Sequence, residues 1–419
     1  MAILGIVAEL NPYHHGHKYL IDNIRKKADF DGVVAVMSGN FLQRGEPALC
    51  NKWSRAKMAL NGGVDLIIEL PVCYAARSAY FFARGAIQLL SAAKAVTHLG
   101  FGSEAGNLDL LGPIAQLLAD EPPELKTLLH ESLSTGNSFA SARAYALKRL
   151  LPDPHIDQIL SLPNNILALE YLRVLREYDD PMQAITVARQ GDFHSLDLAF
   201  CASAGAIRQA LYDNRPLSDL VTAMPSASWN ILKHELEAGR VVTSPQIIAS
   251  LILYQLRTLP VERLAAIYDI NEGLENRMKK AALLTANLND LRFAIKTKRY
   301  SMTHINRVLL YTLLHMSKNQ IEYTDSIEPP YLNILGFSTR GEKILQEIKN
   351  KSSIIILNRG KDVKAAYEGK YGDKVKNMIH WDVMATDIYS LLYPEPEHRR
   401  GGFDFITSPA RLSSEHIDR

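Results

Sequence analysis

Four largely apolar runs stand in the first hundred residues, each closed by turn residues. Residues 3–7 (ILGIV) lead to Asn11-Pro12, residues 32–38 (GVVAVMS) to Gly39-Asn40, residues 64–70 (VDLIIEL) to Pro71, and residues 95–99 (AVTHL) to Gly100-Phe101-Gly102-Ser103-Glu104. Such runs read as strands buried on both faces. Helical spacing fills the intervals: one segment from Lys18 onward, one over 52–61 with Trp53, Ala56 and Leu60 on a shared face, and one carrying Tyr80, Phe82, Ile87 and Leu90. Strands alternating with helices predict an α/β fold with a doubly wound parallel sheet. Right-handed crossovers then bring the turns that end the strands to one edge.

The pattern changes after residue 106. Residues 106–178 are mostly helical, residues 184–189 (AITVAR) look like a fifth strand, and Gln190-Gly191-Asp192 turns away from it. Helical spacing dominates 203–320, over 204–211, 226–237, 245–256, 261–281 and 302–317. From Tyr331 the reading is a small α/β unit: strands at 332–336 and 354–358, and helices at 340–349 and 382–392. The tail from Pro394 is rich in proline and charge and reads as flexible. Three parts result, over 1–195, 196–325 and 326–419.

Composition narrows the class. The chain has 419 residues, 47% hydrophobic and 22% charged, which is ordinary for a soluble globular protein. Its net charge of +2 carries no global signal for nucleic acid, so any such surface is a local patch. The three cysteines, Cys50, Cys73 and Cys201, form no CxxC pair, which argues against a disulfide framework and a structural zinc site. There is no basic leader before an apolar stretch, and no apolar run approaches the ~20 residues of a membrane helix, so a cytoplasmic protein is expected.

The chemistry concentrates at the first turn. His14-His15-Gly16-His17 lies between an N-terminal strand and a helix, the position at which open α/β sheets bind ligands. A helix start offers N–H groups and a positive dipole end to phosphate. Gly16 would let phosphate approach the backbone, and His14 and His17 can donate from their rings. Arg44, Gly102, Ser103, Glu104 and Arg189 fall on the same predicted edge. No GxxxxGK[ST] loop, GxGxxG turn or GxSxG elbow is present, which disfavours P-loop, dinucleotide and hydrolase chemistry. Phosphate handling by positioned donors suits nucleotidyl transfer, with magnesium held mainly by nucleotide phosphates and water. His14, His15, His17 and His98 could instead bind metal, but no Cys, Asp or Glu partner completes such a set. Farther on, Arg292, Lys296, Lys298, Arg299 and Arg307 gather with Phe293 and Tyr300 interleaved, a combination suited to single-stranded RNA or to a solvated helix face.

The longer strings narrow this further. NPYHHGH at 11–17, MSGNFLQRGEPA at 37–48, Lys52-Trp53, DLIIELP at 65–71, FGSE at 101–104, NNIL at 164–167 and ATDIYSLL at 385–392 occur in order along nearly the whole chain. Together they resemble the bacterial tRNA(Met) cytidine acetate ligase family of the HIGH-type nucleotidyltransferase superfamily. The resemblance implies a nucleotidyltransferase-like (HUP) domain over 1–195, a helical tRNA-binding region over 196–325 and a small C-terminal α/β domain with a flexible tail over 326–419. It implies ATP-dependent activation of acetate to acetyl-adenylate, then acetyl transfer to N4 of the wobble cytidine of elongator tRNA(Met). His14 and His17 would be catalytic. ATP would contact Val7, Ala8, Glu9, Leu10, Asn11, Pro12, Tyr13, His14, His15, Gly16, His17, Lys18, Tyr19, Leu20, Gly102, Asn164, Asn165 and Arg189, Asn165 being the better match of the pair. Arg292, Lys296, Lys298, Arg299 and Arg307 would hold tRNA. Tyr13 and His15 stand where family members usually carry Phe and Asn, and the family is richer in glycine after Arg189. A small-molecule nucleotidyltransferase or pantothenate synthetase-like ligase, and a non-enzymatic RNA-binding protein, are the alternatives.

Overall fold

The computed structural model describes residues 1–151, 155–189 and 202–413. Within them eight strands form one sheet: β1 (Ile3–Ala8), β2 (Gly32–Ser38), β3 (Leu66–Leu70), β4 (His98–Ser103), β5 (Gln183–Ala188), β6 (Tyr331–Ser338), β7 (Ile355–Leu357) and β8 (Ala410–Leu412). The order is β5-β4-β1-β2-β3-β6-β7, with β8 also against β6. All pairings among β1 to β5 are parallel. β6 joins β3 antiparallel and takes β7 and β8 parallel. The strand order reverses at β1 and β4, which opens a crevice beyond their carboxyl ends.

The apolar runs form strands because both faces are covered. Every residue of β2 and β3 is buried. Val34 and Val36 face a core shared with the Ala79–Ala92 and Pro163–Leu175 helices, while Val33, Ala35 and Met37 face one shared with the His15–Arg25 and Lys52–Asn61 helices.

Several boundaries differ from the sequence reading for identifiable reasons. β4 runs through Gly100 and Gly102, which read as turn residues. A Cβ on Gly100 would lie 2.5 Å from Ile24 Cδ1, so the glycine lets the first helix pack closely on an ordinary strand. The first helix begins at His15 rather than Lys18. The helix expected over 261–281 is two, Val261–Ala265 and Leu274–Leu284, separated where Asp269, Glu272 and Gly273 take positive φ. The boundary expected at 195/196 lies outside the described residues.

The C-terminal part is not a separate domain. Its α/β elements are present, but β6 extends the N-terminal sheet, locked by Ser338: its N–H donates to Asp65 O and its hydroxyl to Asp65 Oδ1, both at 2.8 Å. Nor is the tail from Pro394 loose as far as it is described. Gly402 N–H donates to Asp387 Oδ1 at 2.7 Å, and β8 pairs with β6.

A buried charge cluster ties these parts together. Lys52 Nζ lies 2.8 Å from Glu69 Oε1 and 2.7 Å from Asp404 Oδ1. Asn333 Nδ2 donates to Glu69 Oε2 at 2.7 Å, and Asp382 accepts from Val72 N–H and the Tyr331 hydroxyl. One ammonium thus faces three carboxyl groups away from water. Burial, helped by the charge of Glu69, pushes the Asp382 carboxyl up to about 8. Asp382 therefore holds its proton to higher pH in the folded protein than in the unfolded chain. Its contribution to stability is full below the ordinary carboxyl range and is lost as pH rises through about 8. Relative to Asp382→Asn, the wild-type unfolding free energy falls by about 1 kcal/mol per pH unit between pH 4 and 8. Urea denaturation across that range measures this, and parallel profiles would contradict it.

Candidate active site

The first turn supplies the site's donors. After β1, Leu10 takes φ 49° and Asn11-Pro12 is cis, which turns the chain into the His15–Arg25 helix. His14 is the N-cap. Its Nδ1 accepts Gly16 N–H at 3.0 Å, while His17 Nδ1 accepts His14 N–H at 3.2 Å. A ring nitrogen that accepts from a backbone N–H carries no proton, so in both neutral imidazoles the proton sits on Nε2. The rings stack obliquely with centroids 4.0 Å apart. Burial is the main force lowering both pKa values, and the charge of Arg189 adds to it for both rings, with that of His17 adding to it for His14; His17 falls to about 3 and His14 well below the usual range. Both histidines are therefore neutral donors at physiological pH.

This changes the expected role of the backbone. Gly16 N–H is bonded to His14, and His17 N–H donates to His14 O at 3.0 Å, so the rings rather than these amides face a ligand. Gly16 is required for a different reason: a Cβ there would lie 2.7 Å from His14 Cε1 and 2.9 Å from Nδ1. It makes room for the capping ring.

The rings open onto a cavity of about 590 Å³ including its mouth, lined by His14, His15, Gly16, His17, Tyr19, Leu20, Gly102, Val187, Ala188 and Arg189. This lies at the β1/β4 reversal, where open α/β sheets bind their ligands. His15 lines the wall while its ring also bonds the backbone of Thr222 and Met224. Glu104 organises the far side. It accepts from Asn164 N–H (3.3 Å), Asn164 Nδ2 (2.7 Å) and Asn165 N–H (2.7 Å), capping the Pro163–Leu175 helix. Arg189 Nη1 donates to Asn164 Oδ1 at 3.3 Å. Asn165 Oδ1 instead accepts Ala105 N–H at 2.9 Å, so Asn164 is the member of the pair that touches Arg189.

A model of the HIGH nucleotidyl transferase family matches residues 1–404. The tRNA(Met) cytidine acetate ligase of Syntrophomonas wolfei subsp. wolfei is 52% identical over 412 residues, covering 98% of this chain and 99% of its own. The chain belongs to the tRNA(Met) cytidine acetate ligase family of HIGH nucleotidyl transferases. The family's Halothermothrix orenii ligase is 37% identical over 417 residues, covering 97% of this chain and 98% of its own. The crystal structure of Thermotoga maritima TmcAL bound with alpha-thio ATP matches with a TM-score of 0.91 at 33% identity, covering 99% of this chain and all of that one.

Other residues of the family's expected site fall as follows. Val7 to Tyr13 end β1 and form the turn, and Tyr13 is buried with its hydroxyl on Gly62 O at 2.7 Å. Lys18 pairs with Asp22 at the surface. His98 starts β4, at the opposite end of the sheet from the HHGH turn, with its ring against Phe30; it cannot join the three histidines around a metal. Among the described residues no trio of His, Cys, Asp or Glu is placed to hold one. The loop after Arg189 lies outside the described residues. In the basic segment, Lys296 and Lys298 are exposed, Arg299 pairs with Glu272, and Arg292 is half-buried with Glu46 acting on it. Arg277 is spent on capping, donating to Ile295 O and Lys296 O.

Two residues escaped sequence reading. Arg208 donates to Asn11 O at 2.8 Å, and its charge helps keep His14 neutral. It comes from the helical region, where nothing local marks it. Arg55 is fully buried and gathers the carbonyls of Glu9, Ser38, Gly39 and Cys50, fixing the ends of β1 and β2 together.

Replacing Gly16 by Ala forces the His14 ring aside. Affinity for a non-hydrolysable ATP analogue drops about tenfold or more, while the melting temperature changes little because alanine favours the helix. Titration calorimetry and a thermal melt check both; unchanged affinity would contradict the packing argument.

Proposed function

We propose that this protein activates acetate with ATP, forming acetyl-adenylate and pyrophosphate, and transfers the acetyl group to N4 of the wobble cytidine of elongator tRNA(Met), releasing AMP. The observation that carries the reading is the pair of Nε2–H donors fixed by backbone bonds at the mouth of the switch-point cavity. ATP occupies that cavity, with the adenosine toward Gly102 and Val187 and the phosphates toward His14, His17 and Arg189. Acetate oxygen attacks the α-phosphorus, and negative charge builds on the phosphate oxygens. Neutral donors aimed at those oxygens need no reorganisation as the charge develops. Arg189, braced by Asn164 and through it by Glu104, adds a fixed cation. Magnesium would arrive on the phosphates of ATP, since no acidic trio among the described residues forms a cage for it.

Acetate needs this activation because its own leaving group would be oxide, whereas the adenylate leaves as AMP. The tRNA would lie over the basic helices through Arg292, Lys296, Lys298, Arg299 and Arg307. Phe293 is 65% exposed between these cations, as a base-stacking ring must be. An enzyme acting on tRNA would work in the cytoplasm; no helix among the described residues is long and apolar enough to cross a membrane.

The test is direct. Protein, ATP, labelled acetate and tRNA(Met) together yield label in the tRNA and one AMP per acetyl group. The double variant Lys296→Glu/Lys298→Glu weakens tRNA binding about tenfold or more and flattens its salt dependence. No label in the tRNA would sink the ligase reading; unchanged tRNA binding would sink the assigned surface.

A further inference from the structure

Glu9 sits where the nucleotide-binding strand meets the basic helices. It directly follows β1 and is half-buried. Its Oε1 accepts Gln43 N–H at 2.8 Å, and its backbone carbonyl accepts from Arg55 Nη1 at 2.6 Å. The carboxylate is thus held at one oxygen by a backbone amide, with the chain beneath it fixed by a buried guanidinium. Tyr171 forms a buried wall nearby: burial first, and then the charge of Glu9, raise its hydroxyl above the ordinary range.

The loop that holds Glu9 also touches the basic region. Leu42 N–H donates to Glu46 O and Gly45 N–H to Leu42 O, both at 2.9 Å, so residues 42–46 form a closed turn. Asn306 Nδ2 donates to Glu46 Oε1 at 3.2 Å. Gly45, at φ +75°, packs so tightly that a Cβ would lie 2.6 Å from Arg307 N. Arg307 and Glu9 are therefore two sides of one five-residue turn, and Arg292 adjoins it at Glu46. An RNA strand lying on this basic face would therefore be one turn away from Glu9.

Resting on the acetyl-transfer reading, we propose that Glu9 is the acceptor for the cytidine amine: its Oε2 receives an N4–H hydrogen bond and then the proton lost during transfer. A carboxylate is the natural acceptor for cytosine N4–H, whereas uracil and guanine present a carbonyl oxygen at that position and are repelled. In the step, the N4 lone pair attacks the acetyl carbon and forms the N–C bond. The bond from that carbon to the phosphate oxygen breaks, AMP takes its electrons, and one N4 proton passes to Glu9 and then to water. The attacking amine becomes strongly acidic as it acylates, so a carboxylate is a sufficient base. Glu9 and the two histidines flank the same turn, so one side of it would serve adenylation and the other transfer.

The test separates the two half-reactions. Acetate-dependent exchange of pyrophosphate into ATP reports adenylation, and single-turnover transfer from preformed labelled acetyl-adenylate reports the second step. Glu9→Gln lowers transfer about 100-fold or more and removes the acidic limb of its pH profile, while exchange falls far less. Glu9→Asp restores part of the transfer rate together with that limb. Wild-type transfer by Glu9→Gln, or a parallel loss of both half-reactions, would overturn the assignment. If Glu9→Gln does not fold, Glu9→Asp decides alone: a transfer profile with no acidic limb overturns it. A wild-type protein without acetate-dependent exchange overturns the acetyl-adenylate reading itself, and this assignment with it.

Discussion

Two backbone amides decide what the first turn can do. By donating to Nδ1 of His14 and His17, the N–H groups of Gly16 and His14 leave each imidazole only Nε2 for its proton. Burial and neighbouring cations then keep both rings neutral. An imidazolium would bind phosphate more strongly in the ground state, but its protonation would vary with pH. A neutral ring fixed by a hydrogen bond presents one donor in one direction, whatever the pH in the physiological range. The same bonds place His14 at the N-cap and His17 in the first helical turn, on either side of a glycine that must lack a side chain. Helix capping and the proposed phosphate recognition would here be a single arrangement.

The site stays in register because the sheet beneath it is one body. Arg55 joins the ends of β1 and β2, and Lys52 joins β3 to the C-terminal segment through Glu69 and Asp404. Removing either cation would leave uncompensated carbonyls or carboxylates in the core, a cost of about 3–5 kcal/mol for a broken buried pair. The C-terminal tail thus acts as a structural clamp on the catalytic sheet, although it lies more than three hundred residues away in sequence.

The alternation of apolar runs and amphipathic segments made the parallel sheet legible, because strands covered on both faces must be apolar throughout. The HHGH turn was legible because its residues and its position point the same way. The boundaries of β4 were not, because Gly100 and Gly102 act through close packing while resembling turn residues. The union of β6 to β8 with the main sheet was hidden because strand pairing across more than 250 residues leaves no local period. One signal was available: Glu69 lies in an otherwise apolar buried strand, and a buried carboxylate requires a cation, which Lys52 supplies. The site's far wall was partly legible. Glu104, Asn164 and Arg189 stood out as polar residues at element ends, but that Glu104 caps the Asn164-Asn165 helix start, and that Arg208 shields His14, depends on tertiary contacts alone.

The most direct measurement of this arrangement is nitrogen-15 NMR of the imidazoles at pH 6, with His14→Gln and His17→Gln used to assign the signals. Both rings should be neutral with the proton on Nε2, and binding of a non-hydrolysable ATP analogue should shift both Nε2 resonances without adding a proton. A protonated Nδ1 on either ring at pH 6, or no response of either ring to the nucleotide, would contradict the assignment of these histidines as fixed neutral phosphate donors.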